Sequence, residues 1–241
     1  MAKSTTYDEI RSLLATQYAV LVSAFAELDP AGPTDCDGWT VAHLQTHIAI
    51  TARGLARIVG GVDGPTTGST REWAQKTPEL AELADSMARE EQLRLADHAG
   101  VAVAALQDAP GDRVVEQITG RHTLRDAAMF RLIEAVVHGL DAAIEPDKRA
   151  LAAVTKELAQ LLADRHPGHS VEVRVPPYAA VQCVEGPRHT RGTPPNVVET
   201  DPVSFLRLMA GRETWAALIA DGRVRASGER SDLSGLLPLL G

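Results

Sequence analysis

The sequence predicts an α+β protein that begins with a four-helix bundle and ends with a small α+β domain. Apolar residues recur with the period of a helix over residues 6–28 and over three later segments that reach about residue 143. From Val171 to Val175, apolar and charged residues instead alternate one by one, which is typical of a strand. A chain of 241 residues is long enough for two such domains. We place their boundary near Pro167, giving domains 1–165 and 166–241.

The four long helices are predicted from their period and from the residues that begin and end them. The first covers 6–28, and the second begins at Thr40, a good N-cap, and runs to about residue 59. Residues 60–77, rich in Gly, Thr and Pro, are predicted to form a loop. A third helix is expected from 78 to about 107, and a fourth over 123–143. Four long helices joined by loops favour a bundle.

Shorter elements are predicted between and after these helices. They are an extended piece at 114–118, a helix at 151–163, strands at 171–175, 179–184 and 223–226, and helices at 202–211, at 213–220 and from 231 onwards.

Composition and charge exclude several classes of function. The net charge of −8 argues against a nucleic-acid-binding protein and against docking on anionic membranes. We find no signal-peptide core and no apolar run long enough to span a membrane. Cys36 and Cys183 are too few and too far apart for a disulfide framework. We therefore expect a cytoplasmic protein with reduced thiols.

The fourth helix carries a carboxylate and an imidazole one turn apart. Glu134 and His138 are four residues apart, so they share a helix face and could both bind one divalent metal. Arg131 and Asp141 lie on the same face, within an arc of roughly 80°. An ordinary amphipathic helix with its polar stripe in water has the same pattern. This helix alone leaves both interpretations open.

The second helix supplies a candidate third ligand. His43 and His47 are also four residues apart, and His47 lies at the edge of the apolar face while His43 lies further towards solvent. His47 is therefore the better candidate to reach the bundle interior. A single histidine beside an apolar face is also commonly a structural residue with a backbone partner, so this alternative stays open.

Two segments carry a resemblance to a known family. Residues 39–47 (WTVAHLQTH) and 131–141 (RLIEAVVHGLD) are similar to the motifs of the DinB-like family, in its mycothiol-dependent maleylpyruvate isomerase branch. The resemblance implies a DinB-like bundle in which His47, Glu134 and His138 bind one divalent metal, usually zinc. The tail, from residues 191–202 (RGTPPNVVETDP) through 228–230 (GER), resembles the bacterial sterol-carrier-like domain that accompanies such bundles.

The resemblance also implies a chemistry. Two histidines and one carboxylate leave a coordination position open, as in catalytic zinc sites. The metal would hold mycothiol as a thiolate that attacks a small electrophile, in an isomerisation or an S-transfer. The partners implied are this low-molecular-weight thiol and the small electrophile, and the protein would be a monomer or homodimer. The alternatives are a non-enzymatic carrier of a lipid or another small ligand and a sensor that keeps the fold.

The remaining polar candidates have less specific roles. Asp141 could orient a ligand histidine through its second ring nitrogen, or could lie in water. Arg131 could bind a substrate carboxylate or form an ion pair with Glu134. Arg191, Arg207 and Arg212 could bind an anion, although surface arginines usually only solvate a face. We assign no role to Cys36 or Cys183.

Overall fold

The structure is a computed structural model that describes residues 5–186 and 195–240. The chain divides into two compact units, Met1–Ala150 and Leu151–Gly241. The first unit is mainly helical and the second combines helices with a sheet, which confirms the predicted α+β class. The boundary between these units follows Ala150 and so comes earlier in the chain than residue 165. The division into domains 1–165 and 166–241 stays a prediction. Within the described residues, no helix combines the length and the apolar character needed to cross a membrane.

The first unit contains the predicted four-helix bundle. Its elements are α1 (Tyr7–Glu27), α2 (Val41–Ile58), α3 (Thr70–Lys76), α4 (Ala81–Glu90), α5 (Leu95–Gln107), β1 (Val114–Gln117), β2 (Gly120–Thr123) and α6 (Leu124–Asp141). Helices α1 and α2 each pack against both α5 and α6. The interior is filled by apolar side chains such as Ile10, Leu14, Leu44, Ile48 and Phe130, all at most 1% exposed. Their burial supplies the main driving force for the bundle.

Two details of the predicted helices are wrong. The expected helix 78–107 is a 3₁₀ turn, then α4, an extended break and α5. The break is stabilised by α2, because Thr46 Oγ1 accepts a hydrogen bond from Leu93 N and Gln45 Oε1 accepts one from Leu95 N. The expected loop 60–77 contains helix α3. Ser69 caps this helix, and the buried Trp73 anchors it.

The helices that carry the candidate ligands begin at threonine caps, as predicted. The Thr123 hydroxyl accepts from Asp126 N at the start of α6. At the start of α2, Thr40 and His43 form a capping box, in which His43 Nδ1 accepts from Thr40 N at 3.1 Å. The imidazole of His43 thus stabilises the helix start.

The second unit is built on a four-stranded sheet. Its elements are α7 (Lys148–Arg165), β3 (Val171–Val175), β4 (Ala179–Cys183), β5 (Val197–Thr200), α8 (Pro202–Met209), α9 (Trp215–Ala220) and β6 (Val224–Ser227). The strand order is β4-β3-β5-β6, with β3 and β5 parallel and the other pairs antiparallel. Strand β5 was not predicted from the sequence. The expected last helix is a single 3₁₀ turn, Ser234–Leu236.

Candidate metal centre

Two histidines face each other where α2 and α6 pack together. His47 lies in the second turn of α2 and His138 in the last turn of α6. Their ring centroids are 4.9 Å apart and the ring planes are nearly perpendicular, at 83°. The sequence predicted both residues as ligands, and the fold brings them together from positions 91 residues apart, since the start of α2 lies beside the end of α6.

The imidazole of His138 is held by a buried carboxylate. Asp141 Oδ2 lies 2.9 Å from His138 Nδ1, and the Asp141 side chain is only 1% exposed. A carboxylate can only accept, so we assign the proton of the neutral imidazole to Nδ1. The lone pair is then on Nε2. This tautomer is the one found where a carboxylate orients a metal-binding histidine.

His47 is suited to remain neutral. Burial, and after it the positive charges that His138 and Arg131 can carry, hold its pKa well below the ordinary value for histidine. A metal binds the neutral imidazole, so a low pKa removes competition from protons near neutral pH.

Glu134 forms an ion pair with Arg131 and has unused hydrogen-bonding capacity. Arg131 Nη1 lies 3.0 Å from Glu134 Oε2. Among the described residues, the geometry of the pair still leaves Glu134 Oε2 and Arg131 Nε buried without a hydrogen-bond partner, and the buried Tyr18 hydroxyl also has none. Burial is the main cause that raises the pKa of Tyr18. The positive charge of Arg131 lowers this pKa, and the negative charge of Glu134 raises it. Unsatisfied polar atoms are costly inside a bundle, so this cluster fits a place that a polar ligand completes.

An indole covers the two histidines. The Trp39 ring centroid lies 5.3 Å from that of His47 and 6.4 Å from that of His138. Trp39 Nε1 donates to Asp85 Oδ1 at 2.7 Å, and Arg89 pairs with the same carboxylate. The loop before α2 is therefore fixed to α4, and this link holds the Trp39 ring beside the histidine pair.

Cys36 belongs to this region, although no role is assigned to it from the sequence. Its Sγ lies 3.1 Å from Asp141 Oδ2 and 3.9 Å from His138 Nδ1. The backbone holds this loop in place, because Asp35 N donates to the Asp141 carbonyl at 2.8 Å. A signal was present in the order of the elements, since Cys36 lies just before α2, whose start lies beside the end of α6 in the bundle.

The predicted ligands are thus only partly assembled. Within the described ranges, the one group of three His, Cys, Asp or Glu donors within 4.8 Å of one another is Cys36, His138 and Asp141. Glu134 is paired with Arg131 and is outside this group. The donor types still fit a divalent cation, because His47 and His138 are neutral nitrogen donors with a carboxylate one turn away. The ligand set His47, Glu134 and His138 stays a prediction.

The other candidate residues lie away from these helices in the chain. Arg207 approaches Glu213 at 3.9 Å and Arg212 Nη1 donates to the Ala210 carbonyl, so both have partners within the second unit. Cys183 is buried in β4, and burial raises the pKa of its thiol to about 11, which makes it unreactive near neutral pH. Arg191 lies outside the described residues.

The fold and this site define a class: a helical bundle with a histidine–carboxylate centre, followed by an α+β unit. The family model described as mycothiol maleylpyruvate isomerase N-terminal domain matches residues 12–143, more than half of the chain. The chain therefore belongs to this family. The model described as bacterial SCP ortholog matches residues 147–239, which agrees with the resemblance of the tail to a sterol-carrier-like domain.

Solved structures show the same fold. The chain is similar to crystal structures of the mycothiol-dependent maleylpyruvate isomerase and of a histidine-to-alanine mutant of it, with sequence identities of 16% and 15%. In both comparisons the TM-score is 0.59 and 94% of each chain is covered. A comparison with curated protein sequences finds no significant match.

Proposed function

We propose that this protein is a metal-dependent and mycothiol-dependent isomerase or S-transferase that acts on a small electrophile. The observation that carries the proposal is the facing pair His47 and His138, in which a buried carboxylate fixes the imidazole of His138. Membership of the mycothiol maleylpyruvate isomerase family supports the same class of chemistry. The proposed location is the cytoplasm, where thiols of low molecular weight are kept reduced.

In this proposal His47, Glu134 and His138 hold the metal, with zinc as the first choice for such donors. When bound, the metal supplies Lewis acidity that keeps the sulfur of mycothiol deprotonated at neutral pH, as the nucleophile for an electrophilic carbon. Asp141 accepts a hydrogen bond from His138 Nδ1–H and so keeps Nε2 directed at the centre.

Arg131 and Trp39 would shape the binding of the substrate. Arg131 Nη1 holds the Glu134 carboxylate, while its buried Nε–H has no acceptor among the described residues and would be available to a carboxylate of the substrate. The Trp39 ring lies beside both imidazoles and would exclude water from that side. Dry surroundings strengthen the electrostatic contacts made there.

The metal content of the purified protein tests the proposal. His47→Gln and His43→Gln form a matched pair of variants, because both residues lie on α2. In a Cys36→Ser background, where the thiol beside His138 cannot supply another zinc ligand, His47→Gln should abolish the zinc that elemental analysis finds at about one ion per chain, and His138→Ala should do the same. His43→Gln should leave it unchanged, because glutamine can also complete a capping box. Absence of metal from the wild type after incubation with zinc would contradict the proposal.

A product assay separates the two reactions. We expect a cis-alkene diacid, incubated with the zinc protein and mycothiol, to return as the trans isomer with the thiol recovered if the protein is an isomerase. A stable thioether instead identifies an S-transferase. Glutathione in place of mycothiol tests the choice of thiol.

The carrier alternative is not proposed. A cavity of about 370 Å³ in the second unit is lined by two charged side chains, Arg174 and Glu199, together with residues 176–180. Most of its lining is apolar, but the cavity is open to solvent and so does not enclose an apolar ligand as carrier sites do.

A further inference from the structure

Three different metal-binding groups meet on the Nδ1 side of His138. Asp141 Oδ2 is 2.9 Å from His138 Nδ1 and 3.1 Å from Cys36 Sγ, and the sulfur is 3.9 Å from the same nitrogen. Asp141 is 3% exposed, whereas Cys36 is partly exposed. The group therefore has a buried base and an opening at the sulfur.

These separations are close to those that a tetrahedral ion imposes. With bonds of about 2.3 Å to sulfur and 2.0–2.2 Å to nitrogen and oxygen, donors around zinc lie roughly 3.3–3.6 Å apart. The observed distances of 2.9, 3.1 and 3.9 Å lie on both sides of this range. Each needs to change by about half an ångström or less, which rotation of the side chains can supply. A fourth position stays open towards solvent.

The charges and the softness of the donors also match. A thiolate and a carboxylate together balance a divalent cation, and the thiolate selects thiophilic ions such as Zn²⁺ and Cd²⁺. Cys36 is 102 residues from His138 along the chain, so only the fold brings these three donors together.

We propose that Cys36, His138 and Asp141 form a second cation site, selective for thiophilic divalent ions. The ion binds the sulfur, His138 Nδ1 and a carboxylate oxygen. The S–H bond breaks and its proton leaves to solvent, while the imidazole proton moves from Nδ1 to Nε2. One proton is therefore released for each ion bound.

The same proton movement makes the two sites mutually exclusive. A neutral imidazole has a single lone pair, so His138 cannot bind one ion through Nδ1 and another through Nε2. An ion at the second site therefore removes His138 from the proposed catalytic centre. This regulatory consequence, unlike the binding itself, rests on the proposed function.

Cadmium binding followed by ultraviolet absorption tests the second site, since a cadmium–thiolate bond has its own charge-transfer band. We expect the band and one Cd²⁺ per chain in the wild type, and loss of the band in Cys36→Ser. Cys183→Ser is the matched control and should keep it, because Cys183 is buried in β4 of the other unit. No band in the wild type, or an unchanged band in Cys36→Ser, would overturn the proposal. Circular dichroism checks that both variants are folded.

His47→Gln separates this inference from the proposed function. This variant lacks a ligand of the catalytic centre but keeps the second site, so its cadmium band should persist, and its loss would count against the second site. If the zinc content of Cys36→Ser does not depend on His47 while the cadmium band of the wild type depends on Cys36, the proposed function fails and the second site stands.

Competition between the sites has its own readout. In the zinc-loaded wild type, one zinc ion should be released for each Cd²⁺ that gives the thiolate band. Retention of the zinc beside the bound cadmium would overturn mutual exclusion.

Discussion

His122 is a fully buried histidine outside the candidate metal centre. Its Nε2 lies 3.0 Å from the Thr119 hydroxyl, and its ring meets Phe130 edge-on at 5.1 Å between centroids. Its Nδ1 has no hydrogen-bond partner within the part of the chain that the structure describes. Gly68 lies against the ring so closely that a Cβ there would be 2.4 Å from it, so this position requires glycine. The pocket is built for a neutral imidazole.

The free energy of unfolding should therefore decrease in mild acid. Burial lowers the pKa of His122, and Lys76 lowers it further, while Asp126 and Glu72 oppose this shift. The unfolded chain then binds the proton first, so the contribution is complete above about pH 6.5 and is lost as the pH falls towards the folded-state pKa. The loss reaches at most about 1.4 kcal/mol per pH unit.

Urea unfolding at several pH values measures this effect. His122→Gln, whose amide can still bond to Thr119, should have a flatter pH dependence below pH 6.5. The pKa of His47 is also lowered, and a metal bound to His47 would add its own pH dependence. The wild type and the variant are therefore compared without metal. Equal slopes for both proteins would show that His122 does not contribute.

At the level of single residues, the sequence predicted what depends on local spacing. The period of helix α6 places His138 and Asp141 on one face, and in the structure His138 Nδ1 lies 2.9 Å from Asp141 Oδ2. The contact of Cys36 with this pair depends on a loop that the bundle brings back over a large sequence separation. A pattern within one helix contains no information on such a contact.

At the level of helices and strands, the period of the apolar residues located the helices but not the breaks within them. Residues 91–94 interrupt the helical pattern because Thr46 of α2 binds the backbone of Leu93, and Gln45 accepts from Leu95 N where α5 begins. Strand β5 was missed because only four residues, Val197–Thr200, pair between β3 and β6. In both cases a tertiary partner decides the local structure.

The link between the loop of Trp39 and helix α4 gives a prediction for a whole element. Asp85→Ala removes the acceptor of the indole N–H, so amide hydrogen exchange at residues 38–40 should become faster by about fivefold. Asp85→Asn keeps an acceptor oxygen for the indole and loses the ion pair with Arg89, and it should exchange nearly as the wild type. Equal acceleration in both variants would assign the link to the charge of Asp85 and not to its bond with Trp39.

At the scale of the whole molecule, each unit has its own buried core. Leu14, Ile48 and Phe130 belong to the first core, and Val173, Phe205 and Leu218 to the second. The candidate ligands all lie in the first unit. A metal that binds the folded bundle should therefore stabilise that unit and not the other.

Calorimetry with and without zinc tests this division of stability. We expect two unfolding transitions, of which zinc at about a hundred times its dissociation constant stabilises the bundle by about 2.7 kcal/mol. For a unit of this size, that corresponds to a rise in Tm of about 5–10 °C. The transition of the second unit should not move, and in the Cys36→Ser/His47→Gln double variant neither transition should. A shift of both transitions in the wild type would mean that the two units unfold cooperatively, whereas a shift that persists in the double variant would place the stabilising metal outside the proposed ligands.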